Sequence, residues 1–81
     1  MPSPGRKRDV SDAEILQAIA LHPDPIVTAS EVADAVGITS QGVNSRLQEL
    51  VEVDLVVRKD VGARAAVYWL TPEGKQKASQ R

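Results

Sequence analysis

The side chains of this chain best placed to do chemistry are amides and short hydroxyls. In the segment SQGVNSRLQELVEV, residues 40–53, Gln41, Asn44, Ser45 and Gln48 recur on one side. Val43, Leu47, Leu50 and Val51 recur on the other at i, i+4, i+7 and i+8, the spacing of a helical apolar stripe. Short polar side chains on a helix suit hydrogen bonding to base edges in a DNA major groove, which is wide enough to admit a helix. Gln41 and Asn44 can each contact adenine through N6 and N7, and Gln41 is the first candidate. Ser40 and Ser45 are candidate phosphate ligands, helped by free backbone amides at the helix start near Thr39. The plainer reading of all these positions is a solvated helix surface.

The preceding residues would position that helix. Thr28 and Glu31 have the spacing of a capping box, in which each side chain satisfies a backbone donor of the other. Val32, Ala33 and Val36 then repeat on one side, and Gly37 stands where a helix commonly ends in a left-handed residue. Thr39 is the expected N-cap of the next helix. Two helices around a sharp glycine turn describe a helix-turn-helix, whose second helix reads DNA; an ordinary helical hairpin has the same local signals.

Further on, LVVRK (55–59) and AAVYWL (65–70) are β-branched or aromatic runs separated by DVGAR, which predicts a β-hairpin. Gly62 would supply turn flexibility, and Arg58, Lys59 and Arg64 flank the loop. Strand alternation places Tyr68 with Leu70 and Val67 with Trp69, and Tyr68 is the aromatic expected inside. Arg64 is a candidate for a narrow A·T-rich minor groove, where the negative potential is enhanced. Arg58 and Lys59 are weaker candidates, because strand charges commonly face water. Arg46 would reach a phosphate or pair with a neighbouring acid such as Glu49. Trp69, if outward, would be a dimer contact, or be capped by the N-terminal arm or the final helix.

A helix-turn-helix followed by a basic hairpin resembles the winged helix-turn-helix transcription regulators, including the MarR-like and ArsR-like groups. The resemblance rests on TASEVADAVGITSQGVNSRLQELVEVDLVVRK and VGARAAVYWLTPEGK, the latter looking especially like archaeal members from salt-adapted cells. It implies an α+β fold, a three-helix core with a small antiparallel β-hairpin wing. The recognition helix, about 40–53, would lie in the major groove, and the wing, about 58–65, on the backbone or minor groove. The chain departs from the better-known groups in lacking long flanking helices of the kind many use to dimerise, so a homodimer is a possible rather than an implied partner.

The expected domain spans residues 11–74, preceded by a basic arm, 1–10, and followed by a polar basic tail, 75–81. Ser11 and Glu14 make a second capping-box pair, opening a helix with Ile15, Leu16 and Ile19 inward that stops at His22-Pro23. Dipole interaction at that helix end accounts for His22 without a ligand role. Ile26-Val27 would add a short strand to the hairpin. Thr71-Pro72-Glu73 resembles a helix start, but Gly74 weakens it, predicting a frayed last helix or a disordered tail.

The net charge of −1 weighs against DNA, but its distribution matters more. From Asp9 to Ser45 there are six acids and no lysine or arginine, whereas Arg46 to Arg81 holds seven basic residues against five acids. With Arg6-Lys7-Arg8, positive charge gathers at the arm, wing and tail. No cysteine means no disulfide or thiolate metal site, and one histidine, no glycine-rich phosphate loop and no evident carboxylate pair leave no catalytic constellation. No signal-peptide core or membrane-length apolar run occurs, so a cytoplasmic protein without cofactor, metal or membrane partner is expected. The leading reading is a sequence-specific regulator of transcription that binds double-stranded DNA. The alternative is a winged-helix protein-interaction module without DNA binding, supported by the acids Glu49 and Glu52 on the reading helix.

Overall fold

The computed structural model describes residues 10–62 and 65–80. Helices α1 (Asp12–Leu21), α2 (Ala29–Val36) and α3 (Ser40–Glu52) lead into strands β1 (Val56–Asp60) and β2 (Ala66–Leu70), and α4 (Pro72–Ser79) closes the order. This is the expected winged helix-turn-helix, with a fourth helix added.

Each of the first three helices begins where its cap falls. Ser11 with Glu14, and Thr28 with Glu31, form complete capping boxes, and the Thr39 hydroxyl accepts from the Gly42 amide. Gly37 ends α2 at φ 79°, the left-handed conformation that costs glycine least. The end of α3 uses a residue for which that conformation does cost. Asp54 takes φ 65°, while Leu55 N–H donates to the Leu50 carbonyl and Asp54 N–H to that of Val51. Those two bonds are a Schellman closure, usually built on glycine.

Core formation follows the apolar stripes. Ile15, Leu16 and Ile19 from α1, Val32, Ala33 and Val36 from α2, and Val43, Leu47 and Leu50 from α3 are all buried, while Val51 is only partly so. Burying a Leu or Val side chain contributes about 1.5–3 kcal/mol, so the α3 stripe alone fixes which face of that helix is turned outward. Val10, expected in the arm, is buried in the same core, because the chain enters α1 across it.

The hairpin pairs in antiparallel register, Val56 with Leu70, Val57 with Trp69, Arg58 with Tyr68, Lys59 with Val67 and Asp60 with Ala66. Tyr68 and Leu70 point inward as alternation requires. The expected strand at Ile26-Val27 shrinks to one bridge, in which Val27 and Tyr68 exchange both backbone hydrogen bonds at 2.9 and 2.8 Å. Pro25 has no amide to extend that ladder and Ile26 is exposed. Gly62 is not in the left-handed region, and a Cβ there would meet nothing within 4 Å among the described residues.

The C-terminal segment departs most from expectation. Instead of fraying, residues 72–79 form α4, with Pro72 in its first turn and Thr71 as N-cap. The Thr71 hydroxyl accepts from Gly74 N–H at 2.9 Å and donates to the Asp54 carbonyl at 2.7 Å, and Thr71 N–H donates to the Leu55 carbonyl. Gly74 is therefore a packing residue: a Cβ there would lie 1.9 Å from the Leu55 oxygen. Ala78 is buried and its carbonyl accepts from Gln17 on α1. The basic-tail expectation for residues 75–81 missed this because helix propensity counts glycine as a loss, whereas here the absent side chain is what lets α4 dock. No helix among the described residues is long and apolar enough to cross a membrane.

Candidate nucleic-acid interface

Fixing the α3 stripe inward leaves Thr39, Ser40, Gln41, Asn44, Ser45 and Gln48 exposed on the other side. All the uncharged candidates from the sequence thus share one helical surface. Their states differ. Thr39 is occupied as the cap, and the Ser45 hydroxyl leans on its own helix, 3.5 Å from the Gln41 carbonyl. A phosphate contact from Ser45 would have to redirect that proton.

Beside this surface runs a cleft of about 590 Å³ between the start of α2, α3 and the wing, lined by Thr28, Ser30, Asn44, Arg58, Asp60 and Tyr68 among others. Arg58 and Tyr68 are paired across the strands and so share a face of the sheet. The Tyr68 hydroxyl donates to Asn44 Oδ1 at 3.4 Å, joining β2 to the amide face of α3. The Arg58 guanidinium lies 2.8 Å from the Asp60 carboxylate. Contact with the Tyr68 hydroxyl, and then the charge of Asp60, raise its already high pKa, so it stays a fixed positive charge at the mouth of the cleft. Lys59 is exposed on the adjacent strand position, its side chain on the opposite face from Arg58. Arg64, and the basic run Arg6 to Arg8, lie outside the described residues.

Arg46 has found an acid, on α1 rather than in its own helix. Its Nε and Nη2 reach Asp12 Oδ1 at 3.0 and 2.7 Å. Because both partners are partly exposed, the pair contributes only about 0.2–1 kcal/mol, far less than the stripe beneath it. A phosphate would have to compete with Asp12 for this guanidinium. Glu49 lines a hollow with Asp12, Ala13, Leu16 and Lys77 on the α1 and α4 side, away from the Asn44 cleft. Glu52 lies two turns beyond Ser45, roughly 10 Å along the axis.

Sequence reasoning missed Tyr68 and Asp60 as parts of this surface. The hairpin register would have found them, since a residue opposite Arg58 must share its face, but register depends on a loop length that the apolar runs leave open. It also missed a cluster at the start of α2, where ligand-type atoms of His22, Asp24 and Glu31 all lie within 4.8 Å of one another. There His22 Nδ1 accepts the Asp24 amide at 3.1 Å, and Nε2 faces Glu31 at 3.8 Å. The neutral ring thus carries its proton on Nε2, toward the carboxylate. Trp69 is half-buried in a groove with Pro23, Pro25, Ile26 and Lys75, so the 22–26 segment and the last helix flank it.

This architecture superposes on solved regulators. A MarR family transcription regulator matches with 30% identity and a TM-score of 0.72 over 84% of this chain and 45% of its own. The adhesin competence repressor AdcR of Streptococcus pyogenes matches with 25% identity and a TM-score of 0.72 over 86% of this chain and 52% of its own. MepR of Staphylococcus aureus in complex with DNA shares the fold, with 22% identity and a TM-score of 0.75 over 83% of this chain and 50% of its own. The chain thus spans about half the length of these relatives. No curated protein matches the sequence significantly. The MarR family model matches residues 9–65, from the entry to α1 through both helices of the turn and into the wing, and the chain belongs to the MarR family.

Proposed function

We propose that this protein is a sequence-specific, double-stranded-DNA-binding regulator of transcription that acts from the cytoplasm by occupying an operator. The observation that carries this reading is the exposed side of α3, on which Gln41, Asn44, Ser45 and Gln48 stand uncharged while Val43, Leu47 and Leu50 are buried behind them. MepR is known bound to DNA, and AdcR is a repressor; both use the fold adopted here.

Gln41 makes the first base contact, on adenine, with Ser40 on the adjoining phosphate. Arg58 neutralises backbone charge from the wing, Lys59 adds to it, and Arg64 enters the minor groove. Arg6, Lys7 and Arg8 supplement the phosphate contacts. Arg46 serves the fold through Asp12 before it serves DNA. Two copies on inverted half-sites would supply the affinity that few basic contacts cannot, and no catalytic role is assigned.

Selection from a random duplex library with the purified chain, at low and moderate salt, tests the reading. An enriched motif is expected, with two inverted copies about 10 base pairs apart if a dimer binds. Arg64→Ala should weaken binding to every duplex and flatten its salt dependence. Absence of enrichment at both salts would leave the protein-interaction module as the better account.

A further inference from the structure

Resting on the DNA-reading assignment of α3, we propose that Tyr68, a core strand residue, is a positioning residue that turns the amino end of Asn44 outward, so that this position favours guanine, with its two adjacent acceptors, over adenine. Three groups lie in series on the wall of the cleft. Arg58 and Tyr68 are cross-strand partners on one face of the hairpin, and Tyr68 reaches Asn44 on α3. Their donor and acceptor capacities set the order of the protons. Arginine has donors only, so a guanidinium on this face can use the Tyr68 hydroxyl solely as an acceptor, which leaves the hydroxyl proton for the neighbour on α3. That neighbour must then offer its carbonyl, which is the 3.4 Å contact from Tyr68 to Asn44 Oδ1. Tyr68 is 3% exposed and cannot swing away, since its own backbone is bonded to Val27 on one side and paired with Arg58 on the other.

An asparagine free to rotate presents both ends of its amide and matches adenine, which offers the N6 donor and the N7 acceptor. With Oδ1 held against the cleft wall, Nδ2 is the end left for the groove, and it carries two donors. Guanine O6 and N7 give such a donor pair two adjacent acceptors, whereas adenine offers N7 beside its own amino donor and thymine O4 alone. Asn44 and Gln41 thereby differ in what they read although both are amides on one helix face. The difference comes from the wing, so the hairpin contributes to base choice without touching a base.

Library selection with the wild type, Asn44→Ala and Tyr68→Phe tests this. Asn44→Ala identifies the base position. At that position the wild type should favour guanine over adenine by about 5-fold or more. Tyr68→Phe, which keeps the ring in the core, should reduce that preference to below about 2-fold and leave the other positions of the motif unchanged. In the free protein, the Asn44 side-chain amide signals in a 1H–15N spectrum should shift in Tyr68→Phe, a change that loss of packing alone would not confine to one amide. Adenine at the Asn44 position in the wild type, an unaltered motif in Tyr68→Phe, or unmoved Asn44 amide signals would each overturn the inference while leaving DNA reading intact. A wild type that enriches no motif would remove the DNA reading itself, and this inference with it.

Discussion

The front and rear of the domain are held by different means. At the rear, where α4 docks, the backbones of Gly74 and Leu55 meet so closely that a single methyl group has no room, and Thr71, the cap of α4, ties the helix start to Asp54 and Leu55 by two hydrogen bonds. At the front, α3 presents exposed amides whose side chains take no part in the core, and the cleft beside it is open and polar. Stability and recognition are thus assigned to different surfaces of one small core. Substitutions on the two should separate cleanly, except where Tyr68 belongs to both.

The strongest challenge to that separation is Gly74→Ala. Forced against the Leu55 carbonyl, α4 would have to shift or detach, and a loss of about 2–3 kcal/mol is expected from overpacking. Thermal or urea unfolding measures it. Below the melting range the DNA motif should be unchanged, and a changed motif would mean that the rear also shapes the reading face. Gln41→Ala is the converse case. It should remove about 1–3 kcal/mol of discrimination at one base position while stability stays within about 0.5 kcal/mol of wild type. A large drop in melting temperature would show that Gln41 belongs to the fold.

A smaller effect is expected at the wing. Asp60 places a negative charge in the cleft and holds Arg58 at 2.8 Å. Asp60→Asn should release that arginine toward a phosphate and steepen the slope of log affinity against log salt by about one. Equilibrium binding across a salt series reads it, and an unchanged slope would place Arg58 off the DNA. The smallest change belongs to the end of α3. Asp54→Gly relieves a left-handed backbone at φ 65° and should stabilise the domain by up to ~1 kcal/mol, seen as a higher melting temperature with DNA affinity unaffected. A destabilised variant would mean that the Asp54 side chain contributes more than its backbone costs.

What the sequence determined by itself was the set of local choices. Capping at Ser11, Thr28 and Thr39, the glycine stop at Gly37 and the inward stripes of α1, α2 and α3 depend on residues within a few positions of one another, so their physics is present in the linear chain. The exposed amide face followed, because a stripe turned inward leaves only one surface for Gln41 and Asn44. What the tertiary structure decided was every matter of long range. Gly74 reads as a helix breaker until Leu55 is brought against it, and Arg46 finds Asp12, 34 positions earlier, instead of an acid in its own helix. Tyr68 was expected inside, but only the register of the hairpin puts it between Arg58 and Asn44. Contacts of this kind depend on the distance between backbones rather than on the identity of neighbouring residues, and that distance exists only once the helices and strands have packed.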